Sequence, residues 1–402
     1  GFDGNEPRYV WTQGAPEIRQ RLGSLLDILD YAQSNHIAVL LGEWSPPGRL
    51  GDVAVDRPDD PRWARLAADF IAWLRRERGY TVVRQFNLMN EPNGDWMWPH
   101  GRVDYAAWAG GIKNLRRELD GHGLTEVAIV GPDNAWGWEW VDRVAREMPD
   151  AIGAWEMHWY ATDKEVLTGE IRKRLSTERL VILANDPQVA HKPMFLAESG
   201  LVDGKTNVDQ QPRVKTFEYG VMMADYAAQV FQAGWQGLCA WDLDDALHVA
   251  AGGHVPVPTD KTLKIWGFWN TQGTAMGHPE DEAMRPWFYA WSLMSRLFPR
   301  DAGLLPVTQP ELSRFRVVAA SLSSGKGYSV MLVNNTNLVR NVHLVLSGAG
   351  RQTVVCYHYF ENDRPADAAG FAVPKETTPN VDLAAGMDVT LPGRGIVFLE
   401  IR

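Results

Sequence analysis

Cysteine is scarce in this chain: two among 402 residues, Cys239 in an apolar run and Cys356 in a β-like stretch more than a hundred residues later. That spacing excludes a disulfide framework and a cysteine-based zinc site, and it leaves the redox compartment open. No stretch reaches the 18 or so consecutive apolar residues that a membrane span requires, and the polar start, Gly1 to Tyr9, lacks a signal-peptide core. The expectation is a soluble chain with a trimmed start, a secreted or periplasmic location being slightly preferred to a cytoplasmic one. There is no long basic run to offset 50 Asp+Glu against 40 Lys+Arg, a formal charge of −10. Nucleic acid and anionic membrane surfaces are therefore poor partners, and a neutral ligand suits the chain better. A Gly-rich phosphate loop, a nucleophile elbow and a His-Glu-x-x-His motif are also absent. Oligomeric state leaves no trace in the sequence.

What is present is ordinary globular composition, 45% hydrophobic and 22% charged. At this length two domains are expected, a large α/β domain and a smaller companion. The compositional oddity is 18 Trp, more than Phe (13) or Tyr (11). Many lie beside polar turn residues, and flat apolar rings with a polar edge suit sugar rings.

Along residues 1–298 helical stripes alternate with buried apolar strands. Ile18, Leu22, Leu25, Leu26, Leu29 and Ala32 precede the strand Ile37 to Leu41, and Trp63 to Leu74 precedes Thr81 to Met89. The unit repeats with strands at Glu126 to Val130, Ile152 to Tyr160, Pro193 to Glu198 and Gln236 to Trp241, and Arg285 to Leu297 reads as a closing helix. Such alternation implies a parallel sheet with helices outside it. Past Pro299 the pattern changes to short alternating strands with Gly-rich turns, which predicts an all-β sandwich over 305–402.

The chemistry-bearing residues gather at strand ends: Glu43 and Trp44, Asn90 and Glu91, Asp133 and Asn134, His158 with Trp159 and Tyr160, Glu198 and Ser199, Trp241 and Asp242. In a parallel barrel these ends converge on one face. Glu91 and Glu198 each terminate an apolar strand, where an ionised carboxylate is costly unless a site opens there. A single such Glu reads as an ion-pair or cap residue. Two of them, 107 residues apart, match the acid and nucleophile that glycosidic bond cleavage requires.

At these residues the sequence resembles the clan A retaining glycoside hydrolases, the (β/α)8 superfamily that includes families five, thirty and thirty-nine. Asn90-Glu91-Pro92, His158-Trp159-Tyr160, Glu198 and Trp241 carry the resemblance, which covers roughly residues 1–298. The resemblance implies a retaining β-glycosidase that works on an oligosaccharide or polysaccharide by double displacement without a cofactor. It makes Glu91 the acid/base, Glu198 the nucleophile and Asn90 the donor to the sugar 2-hydroxyl. It also has Tyr160 orient the nucleophile, His158 line the catalytic subsite and Trp241 form the floor under the sugar. The trailing β-sandwich of the family matches 305–402.

Each residue has a plainer reading. His158 also reads as a core histidine satisfied by a backbone carbonyl. Trp96, Trp98, Trp136, Trp138 and Trp140 singly read as packing residues, and their clustering favours sugar stacking for some of them. Asp242, Asp244 and Asp245 read as hydroxyl acceptors or loop caps, not as a calcium loop. With Glu43, Trp44, Trp96, Asn134 and Asp242 added, these residues form the expected substrate-binding set; no metal ligand is assigned, since His158 lacks an obvious partner. The main rival is a carbohydrate-binding protein that keeps the aromatic cleft without catalysis, and a third reading, a metal-dependent barrel hydrolase, requires converging His/Asp ligands. One departure stands out. If Asn90-Glu91 closes strand four, the first two strands and first helix of a barrel have no sequence to occupy, so an opening β-α-β is expected to be missing.

Overall fold

The computed structural model describes residues 2–3, 6–7, 15–50, 53–95, 103–247, 263–325 and 327–402. The alternating pattern becomes α1 (Ala15–Ser34), β1 (Val39–Gly42), α2 (Pro61–Ala72), β2 (Val83–Asn87), α3 (Tyr105–Gly121), β3 (Ala128–Pro132), α4 (Glu139–Glu147), β4 (Ala154–Ala161), α5 (Glu170–Asn185), β5 (Met194–Leu201), α6 (Phe217–Gln232), β6 (Gly237–Ala240) and α7 (Pro286–Leu297). Strands β1 to β6 lie side by side in chain order in one six-stranded sheet, parallel where β1, β2, β3 and β4 pair. Each step from one strand to its neighbour is a crossover through a helix, the connection a parallel pair demands.

The helices start where capping chemistry permits. The Asp60 side chain accepts from the Arg62 N–H with Pro61 in the first turn, Asp104 accepts from the Ala107 N–H, and Thr216 from the Tyr219 N–H.

The chain forms two compact units: residues 1–159 with 180–197, and 160–179 with 198–402. In the first, α1 and α2 cover the sheet through a cluster of Leu29, Phe70, Trp73, Leu74, Tyr80 and Val83. The Trp108 ring of α3 packs against Tyr105 and against Trp140 of α4, with centroids 5.8 and 5.3 Å away.

The second unit holds the antiparallel strands β7 (Gly303–Leu305), β8 (Phe315–Ser321), β9 (Tyr328–Asn334), β10 (Arg340–Leu344), β11 (Arg351–Tyr359), β12 (Glu376–Asp382), β13 (Met387–Leu391) and β14 (Gly395–Ile401). Six of them form one sheet in the order β7-β8-β9-β14-β11-β12, and β10 pairs with β13. One face of the larger sheet, with Phe315, Val317, Val330, Leu332, Val397 and Leu399, packs with Val389 and Leu391 of β13. The other face, with Val318, Met331, Val333, Tyr357 and Phe398, packs on Val221, Ala224 and Ala228 of α6 and Leu293 and Leu297 of α7. Gly220 permits this approach, since a Cβ there would stand 2.3 Å from the Tyr359 hydroxyl. A buried polar clamp lies at the same junction. Asp225 accepts from Arg316 (3.0 Å), Asn335 (3.0 Å) and Gln229 (2.9 Å). Burial pushes the Asp225 carboxyl above its ordinary range against the pull of these partners, Arg316 first.

Candidate active site

Past β2 the chain leaves the sheet through a tight turn in which the Asn87 side chain accepts from the Met89 N–H (3.0 Å). Glu91 then adopts φ 44°, a left-handed conformation that residues with a Cβ rarely enter. Its backbone N–H donates to Asp133 Oδ2 at 2.8 Å, which holds the turn. Asp133 stands just past β3 and is itself left-handed, at φ 56°. The backbone at both carboxylates is thus held off its preferred regions by a contact between them.

Strand β4 supplies the third component. Side chains alternate across a strand, so Glu156, His158 and Tyr160 share one face. The His158 ring, 2% exposed, has Nδ1 2.9 Å from Glu91 Oε1 and Nε2 3.1 Å from Asp133 Oδ1. Glu156 Oε2 lies 4.0 Å from the same Nε2. Burial opposes charge on Asp133, but the His158 ring and the hydrogen bonds from His158, Glu156 and the Glu91 N–H outweigh it and hold this carboxyl below its ordinary value. His158 is therefore not a core histidine on a backbone carbonyl. It has the acidic partners that the sequence did not reveal: ligand atoms of Asp133, Glu156 and His158 lie within 4.8 Å of one another. Both ring nitrogens face carboxyl oxygens at hydrogen-bond distance, which makes the ring the centre of this acidic cluster.

In the second unit Tyr160 Oη donates to Glu198 Oε2 at 2.7 Å. Glu198 sits within β5, which runs three residues further than the apolar run suggested. The Tyr160 ring meets Trp266 edge-on, with centroids 5.3 Å apart. Only a glycine leaves room beneath this pair, because a Cβ on Gly200 would lie 2.9 Å from the Trp266 ring and 3.1 Å from that of Tyr160. The Trp241 N–H donates to the Ser199 carbonyl (3.0 Å), tying β6 to β5, and the Trp241–Asp242 peptide bond is cis. Asp242 differs from its neighbours. Burial first, then the charge of Asp245, pushes its carboxyl up to about 8. Asp245 accepts from the Trp266 and Gly267 N–H groups and pairs with the buried Arg285, while Asp244 accepts from Thr271. Asp244 and Asp245 are thus loop caps.

Among solved structures, 98% of the chain aligns with 87% of a glycoside hydrolase family 30 subfamily 8 xylanase from Clostridium acetobutylicum, at 11% identity and a TM-score of 0.66. A family 30 endoxylanase from Clostridium papyrosolvens C71 matches over 97% of this chain and 85% of its own (11% identity, TM-score 0.63). A family 39 β-xylosidase from Caulobacter crescentus matches over 85% and 72% (18% identity, TM-score 0.55). The chain has the fold of the clan A glycoside hydrolases. No protein-family profile and no curated protein sequence matches it.

Placed on this clan A fold, the remaining expected site residues separate. Glu43 and Asn90 are joined through the backbone, the Asn90 N–H donating to the Glu43 carbonyl at 2.8 Å. Trp44 is 59% exposed, whereas Trp140 is buried in the core beside Trp108. Trp136 is partly exposed, and Trp138 packs edge-on against Trp159 (5.1 Å). Trp96 and Trp98 lie outside the described residues. The Asn134 amide donates to the Gly137 carbonyl (2.6 Å), which fixes its own loop. Asn93, absent from the expected set, clamps that loop too, accepting from the Ala135 N–H (2.8 Å) and donating to the Trp136 carbonyl (2.6 Å). Sequence reasoning also missed Glu156 and Trp266. Alternation from His158 along β4 would have pointed to Glu156, but no local signal marks Trp266 or Asn93.

Proposed function

We propose that the chain is a retaining β-glycosidase that cleaves a β-linked glycan, with Glu91 as acid/base and Glu198 as nucleophile. The observation that carries this reading is the strained, nearly buried Glu91, gripped by Asp133 at its N–H and by His158 at its carboxyl. Strain of this kind persists where surrounding contacts over-determine it, and it clusters at catalytic positions. The clan A fold supports the same reading, since its neighbours include xylanases, a xylosidase and a glucosidase.

In the first step Glu91 gives its proton to the glycosidic oxygen as the bond to the anomeric carbon breaks, and the electron pair leaves with that oxygen. Glu198 attacks the same carbon and forms a glycosyl ester. Glu91, now a carboxylate, then takes a proton from water as the water displaces Glu198. The Tyr160 hydroxyl donates to one Glu198 oxygen and orients the carboxylate. Trp241 and the exposed Trp44 are proposed to stack on sugar rings, and Asn90, Glu43, Asn134 and Asp242 to meet hydroxyl groups.

The test is a panel of dinitrophenyl β-glycosides, xyloside and glucoside first, with product anomers followed by NMR. Initial release of the β-anomer is expected. Glu91→Ala should keep the first step on these activated substrates and yield the β-glycosyl azide when azide is added, because a small anion needs no general base. Initial release of the α-anomer would refute retention, and sugar binding without turnover would make the chain a carbohydrate-binding protein.

A further inference from the structure

The role of Asp133 follows from a count of donors and acceptors. Its Oδ2 accepts from the Glu91 N–H at 2.8 Å and its Oδ1 faces His158 Nε2 at 3.1 Å. Two acceptor oxygens are needed at once, and of the side chains of this shape only a carboxylate offers two; an amide has one. Asp133 is 2% exposed and held below its ordinary value, so it is an anion that cannot donate. Nε2 of His158 must therefore carry a proton. At the other end of the ring Nδ1 faces Glu91 Oε1 at 2.9 Å. For a donor to stay on Oε1 when Glu91 gives up its proton, the ring must be an imidazolium before and after the step, donating from Nδ1 to Glu91 Oε1 and from Nε2 to Asp133, while the proton that Glu91 transfers comes from its other oxygen.

We infer that Asp133 is a positioning residue for the acid step. Acting through His158, it keeps a proton donor on Glu91 Oε1, so that Oε2 is the oxygen presented to the leaving group and the charge left behind after proton transfer is stabilised. This rests on Glu91 being the acid/base. Within the first unit, the groups facing the ring include Glu91 after β2, Asp133 after β3 and Glu156 on β4 itself.

The Asp133→Asn variant isolates the effect. The amide oxygen must serve either the Glu91 N–H or His158. Serving the N–H turns the NH2 toward Nε2, which then has to be the bare nitrogen of a neutral ring. Glu91 is left with a weaker donor at Oε1, becoming a poorer acid and a better base. With phenyl β-glycosides, whose leaving oxygen needs a proton, kcat/KM should fall about a hundredfold. With dinitrophenyl β-glycosides the loss should stay within about tenfold, and azide should not accelerate turnover, since the base step is intact.

Three comparisons decide the matter. Wild-type turnover of the dinitrophenyl substrate tests the glycosidase reading by itself, so its absence counts against that reading and not against the role of Asp133. The burst of dinitrophenolate counts folded active sites in each variant. A double variant with His158→Gln should lose no more on phenyl substrates than His158→Gln alone, as expected for residues that act in series. Equal losses on both leaving groups, azide rescue as in Glu91→Ala, or additive losses in the double variant would each overturn the inference. If Asp133→Asn does not fold, His158→Gln must by itself show the leaving-group-dependent loss, and wild-type dependence there overturns it equally.

Discussion

Removing one oxygen atom tests the Tyr160–Glu198 contact. In Tyr160→Phe the ring keeps its edge-on packing on Trp266 and its seat over Gly200, and the 2.7 Å hydrogen bond to Glu198 Oε2 is lost. A hydrogen bond to a charged group contributes about 1.5–3 kcal/mol. Tyr160 and Glu198 are both half-buried, which places this bond toward the lower end of that range. If Glu198 is the nucleophile and the bond aims it, kcat/KM for a dinitrophenyl β-glycoside should fall about 10- to 30-fold, since each 1.36 kcal/mol is tenfold. That substrate needs no acid, so the loss reports on nucleophilic attack and not on Glu91. The unfolding midpoint should move by no more than about 2 °C, because the packing is kept. A loss below about threefold, or one confined to KM with kcat unchanged, would show that the contact does not serve attack.

Two further outcomes follow from buried carboxylates. The folded-state value of Asp242, about 8, lies above the ordinary carboxylate value, so the fold retains a proton that the unfolded chain releases. Stability tied to this group is complete below about pH 4 and is lost as the pH rises through about 8. Asp242→Asn has no such proton to lose, so its unfolding midpoint should fall less than that of wild type between about pH 5 and 9; parallel curves by differential scanning fluorimetry would refute this. Asp225→Ala leaves Arg316 and Asn335 buried without their acceptor, which costs about 3–5 kcal/mol. By calorimetry the midpoint should drop about 4–6 °C in a chain of this length, and a drop under about 1 °C would show that the clamp is dispensable.

Periodicity alone determined the order and type of the major elements, because a strand covered by helices on a parallel sheet must be apolar throughout and a covering helix must carry a stripe. The buried run Ala128–Pro132 and the stripe of Pro61–Ala72 were legible for that reason. Strand β12 was not, because Glu376–Asp382 is a mostly exposed edge strand whose polar residues carry no burial signal. The twofold burial of β8 and β9 was equally hidden: alternation predicts one covered face, and only the tertiary structure places α6 and α7 against the other. At the candidate site the sequence marked Glu91, Glu198, His158 and Tyr160 by their positions at strand ends. The resemblance paired Tyr160 with Glu198, but the contacts of Glu91 with Asp133 and His158 were hidden, because hydrogen bonds between residues 42 or 67 positions apart depend on the register of separate strands. Which oxygen of Asp133 meets which donor, and why Glu91 tolerates a left-handed backbone, were decided only when β2, β3 and β4 came side by side.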